Sequence, residues 1–463
     1  MLESFEEWFA IRNRNSDEDI WPGKLKFSED AGITLEAVCH RAGRADSNAP
    51  CCDAGTITGY LDYQRPTTII DPWVQSQGGG SSGLDTPVMR AKSRILASAV
   101  LKNIHMESSN EKCFTAMHMD MPSFSTWYAP QLVKTSNEHI KDSARALSVE
   151  IGGPTREEFL LKSKTNVIVQ SFAAANEKGD ETTITQRTFL TFEFPDAIDY
   201  SAVQNLIARV NSIFSFLLGH RMAHNPYRIK TTHTRKWNNQ DEHITAELFF
   251  QPAFKSTTHH VNWNDAIFRR QDCALTPEDL LNAASDQPDA IFYLMNMVLL
   301  LENPEKLSAS SFGELVGCIE DFDNMINRSG SSADVRSARR ALRKIVKEYG
   351  RNDDLRALDE LMRTQPNRVS LAERLDRLQA SWSKSGFRGR IKASEITKIR
   401  NDVAHGRAVN LSPEDYQRII WLQYDLCAIS RFHIFRALGI QEQEIAAAFR
   451  RLGLRYGRYA PER

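Results

Sequence analysis

No stretch of this 463-residue chain is apolar for long enough to cross a membrane; Ile291 to Leu301 stops far short of the roughly 20 residues a spanning helix needs and reads as a core helix. Cysteine is scarce and irregularly spaced, seven in all, which excludes a disulfide framework and points to a reducing cytoplasm. The first residues, Met1-Leu2-Glu3-Ser4-Phe5-Glu6-Glu7, are acidic and lack the basic-then-apolar layout of a secretory signal. The glycine run Gln77-Gly78-Gly79-Gly80-Ser81-Ser82-Gly83 is not followed by Gly-Lys-Ser/Thr, so it is no phosphate-binding loop and reads as a flexible one. Cys39, His40, Cys51 and Cys52 fit no standard zinc spacing, and His220, His224, His233, His259 and His260 form no metal motif. The expectation is therefore no metal and no cofactor.

Net charge is also nearly absent, at −1, but that figure hides an asymmetry. Residues 331–463 carry 27 Lys/Arg against 16 Asp/Glu, a balance of +11, and the first 330 carry 31 against 43, a balance of −12. A basic C-terminal third suggests a polyanion as its partner. A hydrophobic content of 41% and a charged content of 25% are ordinary for a globular protein, and the length suggests two to four domains.

Residues 1–270 read mainly as strands. Gly23 to Phe27 and Ile33 to Val38 alternate on either side of Ser28-Glu29-Asp30-Ala31-Gly32, a hairpin layout. Thr56–Leu61, Thr67–Ile70, Arg94–Met106, Asn166–Val169, Thr188–Phe194, Tyr227–Thr232 and Ile244–Phe250 continue the pattern, with one helix over Ser201–Leu218. From about residue 271 the period becomes helical. Thr276-Pro277-Glu278-Asp279 opens a helix expected to run through Leu301, and Ser311–Ile326 forms the next. Ala333–Tyr349 has Val335, Ala338, Leu342, Ile345, Val346 and Tyr349 on one face. Its other face carries Arg336, Arg339, Arg340, Arg343, Lys344 and Lys347 without interleaved acids, a stripe suited either to solvent or to a phosphate backbone. Leu371–Trp382 is amphipathic, and Ser412-Pro413 opens a helix on which Leu422, Leu426, Ile429 and His433 share a stripe, making His433 a buried structural histidine.

Between these helices lies Ile399-Arg400-Asn401-Asp402-Val403-Ala404-His405-Gly406, read as the last turns of a helix that stops at Gly406. Ile396, Ile399 and Val403 mark its buried stripe, while Asn401 and His405, four apart, share the opposite face. Arg400 and His405 are five apart and diverge by roughly 140° on a straight helix. Either the helix frays at His405, or a second copy of the chain completes the site. A second Arg-x4-His, Arg228 to His233, falls on an alternating strand and is assigned no role.

Arg400-Asn401-x-x-Ala404-His405-Gly406 resembles the Arg-x4–6-His signature of HEPN ribonucleases. Trp21-Pro22-Gly23-Lys24-Leu25 and the stretch from Cys113 to Tyr128, in a strand-rich setting, resemble the N-terminal region of ApeA-like proteins. Together these imply an α+β chain: a β-rich N-terminal sensing or regulatory domain (1–270), then an α-helical C-terminal region (271–463) containing an all-α HEPN bundle from about residue 305. The resemblance implies a metal-independent endoribonuclease acting in anti-phage abortive infection on cellular RNA, tRNA among the candidates. It also implies sites paired across a homodimer or higher homo-oligomer, and a 2′,3′-cyclic phosphate product. A phage-derived activator at the N-terminal domain is a further expected partner; a membrane is not.

The residue chemistry fits that implication. His405 suits general acid/base work near neutral pH, Arg400 suits charge stabilisation at phosphorus, and Asn401 suits orienting His405 or binding phosphate. Arg336, Arg340, Arg343 and Lys347 are the expected RNA-binding set. The competing reading is a non-catalytic HEPN module that binds RNA or drives oligomerisation.

Overall fold

The structure is a computed structural model. It describes residues 4–13, 16–28, 32–42, 55–62, 64–82, 88–128, 132–139, 145–178, 181–221, 226–250, 266–302, 308–326, 342, 346–347, 350, 354–355, 369–405, 412–453 and 456–461. The fold is α+β and divides into two compact units. One comprises Met1–Gln271 with Thr276–Ser285, the other Asp272–Leu275 with Asp286–Arg463.

The first unit is built on a fourteen-stranded sheet in which every neighbouring pair is antiparallel. Its early strands are β1 (Phe5–Asn13), β2 (Ser16–Ser28), β3 (Gly32–Ala42), β4 (Thr56–Leu61), β5 (Arg65–Ile70), β6 (Trp73–Ser82), β7 (Val88–Ala97) and β8 (Ala99–Lys102). The later strands are β9 (Phe114–Asp120), then β10 (Val133–His139) and β11 (Arg145–Ile151), which pair separately with each other. They continue as β12 (Thr155–Leu160), β13 (Asn166–Lys178), β14 (Glu181–Ile198), β15 (Tyr227–Trp237) and β16 (Gln240–Phe250). The order β6-β7-β3-β2-β1-β4-β5-β8-β16-β15-β9-β14-β13-β12 keeps the two halves of the sequence in separate blocks, joined at β8–β16.

Residue pattern explains the layout. On β15, Tyr227, Ile229 and Thr231 are buried while Arg228, Lys230 and Thr232 are exposed, the alternation of a strand with one wet face. The block of early strands closes over Phe9, Leu25, Phe27, Ile33, Leu35, Ile69 and Ile95, with Phe249 of β16 stacking edge-on to Phe27 at 5.4 Å between ring centres. Helix α1 (Pro122–Tyr128) presents Phe124 and Trp127 to Phe214 of α2 (Tyr200–Leu218). Asp199 caps the start of α2 by accepting from the Ala202 amide, and Gly219, at φ 77°, ends it.

The helices continue as α3 (Pro277–Asp286), which belongs to the first unit, then α4 (Asp289–Leu301) and α5 (Ala309–Ile326). After these come α6 (Leu371–Lys384), α7 (Ala393–Ala404), α8 (Pro413–Ala437) and α9 (Glu442–Arg451). Thr276 caps α3 as its sequence predicts, accepting from the Asp279 amide at 3.1 Å. Trp382 of α6 sits at the centre of the helical core, packed on Phe387, Phe432 and Phe449, with its indole N–H donating to the Arg388 carbonyl at 2.9 Å.

Two expectations are corrected. The glycine run is not a loop through Ser82: it is strand β6 at the sheet edge, with Gly78, Gly79 and Gly80 opposite Lys92, Ala91 and Arg90 of β7. An edge strand needs ladder partners on one side alone, and β7 supplies them. The helix expected from Thr276 to Leu301 is two helices, broken at Pro288, which caps α4 at φ −69° and ψ 156°. Proline has no N–H and drives the preceding Gln287 out of the helical region. The stretch 94–106 is strand through Lys102, interrupted at Ser98, and residues 103–106 lie outside any strand.

Candidate active site

Helix α7 carries the motif. Ile396 is fully buried, whereas Ile399 and Val403 are half-buried, so the apolar stripe grows shallower toward the motif end. Val403 rests near α5, where a Cβ added at Gly313 would lie 3.4 Å from its Cγ1. One turn back, Arg400 Nη2 reaches Glu320 Oε2 of α5 at 3.4 Å. Moving back along α7 thus moves forward along α5, and the two helices pack antiparallel. A third tie comes from α8, whose Arg418 pairs with Glu395 near the start of α7 and holds that carboxyl below its usual range. Neither Glu320 nor Arg418 was singled out from the sequence. Gly313 and Glu320, seven apart and hence on one helical face, were the available signal.

The proposed trio is disposed unevenly. Arg400 is partly exposed and also donates from Nη1 to Asn401 Oδ1 at 3.4 Å, so Asn401 touches Arg400 rather than His405. Helix α7 ends at Ala404, one residue earlier than expected, and His405 is its cap at φ −96° and ψ 10°. Gly406 lies outside the described residues. The His405 amide still donates to the Asn401 carbonyl at 3.0 Å, the helical bond, so the chain keeps its helical path to His405. Its side chain therefore leaves the axis on a different side from Arg400. The imidazole is exposed and has no hydrogen-bond partner among the described residues.

Of the expected RNA-binding residues, Lys347 is exposed; Arg336, Arg340 and Arg343 lie outside the described residues. Leu342, expected on the apolar face of that helix, is 50% exposed. An open cavity of about 820 Å³ lined by Asp376, Gln379, Ser383, Arg390 and Lys392 does not coincide with the motif. It lies at the start of α7, roughly 18 Å along the helix from His405. The chemistry of Arg400 and His405 outweighs cavity size in choosing between the two places.

His433 behaves as its stripe predicts. It is buried, its Nε2 lies 3.0 Å from the Leu378 carbonyl, and burial pushes its pKa down to about 4, against the pull of that hydrogen bond. It is a structural group with no path to substrate. The side chains of Cys39 and His40, and all of Cys51, Cys52, His224, His259 and His260, lie outside the described residues.

More than half of the chain, residues 7–282, matches the family model described as ApeA N-terminal domain 1. No curated protein and no solved structure matches the chain.

Proposed function

From the premise that the chain belongs to the ApeA N-terminal domain 1 family, we propose that it is an anti-phage defence protein whose helical unit is a HEPN endoribonuclease. The family membership supports the defence role. The observation that carries the nuclease reading is the pairing of an exposed, unoccupied His405 imidazole with an Arg400 guanidinium on the same helix end.

The reaction asks little beyond these groups. The RNA 2′-oxygen attacks the adjacent phosphorus, the bond to the 5′-oxygen breaks, and the products are a 2′,3′-cyclic phosphate and a 5′-hydroxyl. His405 moves a proton at the attacking or departing oxygen. Arg400 forks onto the non-bridging oxygens as charge builds on them. In the resting chain Arg400 leans on Glu320, and Asn401 steadies its other arm, so the incoming phosphate competes with a carboxylate for the guanidinium. Because His405 and Arg400 diverge around the helix axis, one chain offers them to different spaces, which favours a site completed by a second copy. The basic stripe of Arg336, Arg340, Arg343 and Lys347 is proposed to track the RNA backbone. The β-rich unit is proposed as the sensor of a phage-derived trigger. A substrate of cellular RNA, tRNA included, places the work in the cytoplasm.

One observation favours a second reading. His405 has no orienting hydrogen bond, and a HEPN scaffold that binds RNA or assembles copies would leave it so. Purified full-length protein incubated with total RNA separates the two. The nuclease reading expects fragments ending in a cyclic phosphate, formed in the presence of EDTA. RNA binding without cleavage, with and without phage lysate as trigger, would overturn it. Activity lost to chelation and restored by Mg²⁺ would overturn the metal-independent chemistry.

A further inference from the structure

A second group of reactive side chains lies in the β-rich unit. Strands β9 and β15 pair with Phe114 opposite Thr231, and the Thr232 amide donates to the Cys113 carbonyl at 2.7 Å. That bond fixes the chain just before β9 beside the middle of β15. It brings together Glu111, Cys113 and His233, whose carboxylate, sulfur and ring-nitrogen atoms all lie within 4.8 Å of one another. His233 Nε2 is 2.7 Å from Glu111 Oε1. Cys113 is 1% exposed; the other two are partly exposed, so the cluster is closed on the sulfur side and open on the other.

We propose that Glu111, Cys113 and His233 form a mononuclear site for a zinc-class divalent cation. The donor set decides the class. Magnesium and calcium take oxygen ligands and have no use for a thiolate. One sulfur, one imidazole nitrogen and one carboxylate oxygen suit zinc, which binds three protein ligands with a solvent molecule in the fourth place when the site is open on one side. Zinc–ligand bonds of about 2.0–2.3 Å set tetrahedral ligand separations of about 3.3–3.6 Å. The His233–Glu111 pair, now 2.7 Å apart, must open by somewhat less than an ångström, and the sulfur, within 4.8 Å of both, must close in by at most about 1.3 Å. Glu111 and Cys113 stand just before β9 and His233 in the middle of β15, so the adjustment falls to side-chain rotations.

Burial and the neighbouring Glu111 charge push the Cys113 thiol up to about 12, so without a cation it stays protonated. A thiol so deep and so weakly acidic is no hydrolytic nucleophile, which sets aside the Cys-His-Glu triad that the same three residues suggest. A divalent cation reverses this balance: the thiol proton is released to solvent, a sulfur–metal bond forms, and the two negative ligands are neutralised. Support from behind is present too, since the other Glu111 oxygen accepts from the Glu107 amide at 3.1 Å. The cation would clasp the segment before β9 to β15, two pieces of chain about 120 residues apart in sequence.

The test uses the full-length protein and reads metal, independently of RNA cleavage. Zinc should be retained at one equivalent through buffer exchange. Cobalt loaded in its place should give a thiolate-to-cobalt charge-transfer band and intense tetrahedral d–d bands. Cys113→Ser should remove the charge-transfer band, and His233→Gln should weaken zinc binding at least 10–100-fold, roughly the loss expected for an outer-shell partner alone. If either variant fails to fold, zinc-edge X-ray absorption of the zinc-loaded wild-type protein reads the ligands directly. One sulfur beside nitrogen and oxygen neighbours supports the site. A cobalt spectrum lacking the thiolate band, unchanged zinc content in Cys113→Ser, or a zinc shell of nitrogen and oxygen alone would overturn it. Activity lost to a chelator and restored by zinc but not by Mg²⁺ would mark this site while leaving the nuclease chemistry standing.

Discussion

The two units solve the same burial problem with different materials. The described core of early strands is mainly a layer of Phe, Ile and Leu in which each strand's partner is set by the sheet order, with buried threonines and one buried charge, Lys102, paired with Glu7 at 2.9 Å. The helical unit buries its charges more deeply. Arg431 is fully buried and pairs with Glu302, to which the Tyr456 hydroxyl also donates. Asp323 is equally buried and accepts from Arg377 at 2.7 Å, with Arg374 at 3.5 Å. His433 is buried as well, as a neutral imidazole, its Nε2 3.0 Å from the Leu378 carbonyl. Apolar sheet layers tolerate loss of a contact by partial collapse, whereas a buried ion that loses its partner has nowhere to put its charge. Damage to the two units should therefore look different, and unit-resolved unfolding is the way to see it.

The largest effect tests whether the helical unit carries an activity that its stability does not need. His405→Ala removes an exposed imidazole with no hydrogen bond among the described residues, so stability should change by no more than about 0.5 kcal/mol. The cleavage rate should fall by a factor on the order of 10²–10⁴. Arg400→Ala should be similarly inactive. Mixing the two dead proteins should rebuild one complete site per heterodimer, read as recovered RNA cleavage. No recovery despite demonstrated subunit exchange would mean both residues act from one chain. Full activity of His405→Ala alone would favour the scaffold.

Next in size is the buried pair. Arg431→Ala takes the buried guanidinium away from Glu302, to which the Tyr456 hydroxyl still donates, and should cost about 3–5 kcal/mol. Calorimetry should show the helical transition lowered and the β transition in place. A loss under 1 kcal/mol would mean that the helical unit repacks as freely as a sheet. Acid should act on the same unit. The pKa of His433 is depressed to about 4 in the fold, from an ordinary value near 6.5, so the unfolded chain binds the proton more readily. Its contribution is complete above about pH 6.5 and is lost as pH falls toward 4, on the order of 3 kcal/mol in all. His433→Gln should flatten that slope; an unchanged slope would mean that the ring is already protonated in the fold.

The same contrast explains what could be read from the sequence. Helical information is local. The Thr276 and Ser412 caps, the Leu422-Leu426-Ile429-His433 stripe and the buried Ile396 each follow from residues a few positions apart. Pro288 is equally local, and it breaks the helix that the apolar run around it suggests. Sheet information is not local. Strand character is legible from alternation, but pairing is not, and the glycines of β6 read as a loop because glycine reports flexibility and not the neighbour that ends it. Glu111, Cys113 and His233 matched no metal spacing because 120 residues separate their ends, and antiparallel register alone brings them together. Glu320 was hidden in the same way, 80 residues from Arg400.

The smallest effect tests the sheet side of the comparison. Gly59 of β4 lies opposite Ile11 of β1, and its carbonyl accepts from His105 Nε2 at 2.8 Å. A Cβ added there would come closer than 3.0 Å to the Ala10 carbonyl oxygen and to two ring carbons of Phe9. The oxygen belongs to a strand held by ladder bonds on both sides, so it cannot swing away. The Phe9 ring is buried among Leu25, Ile57 and Leu61, so it must displace a neighbour in order to turn. Gly59→Ala should therefore cost about 1–3 kcal/mol, the usual toll of overpacking, despite the gain in β propensity over glycine. It should lower the β transition alone. The helical transition, the cleavage rate under saturating RNA and the response to acid through His433 should stay where they are. If Gly59→Ala is neutral, β1 and β4 are not packed as closely as their register requires. If it lowers both transitions together, the two units unfold as one, and damage to either is shared by the other.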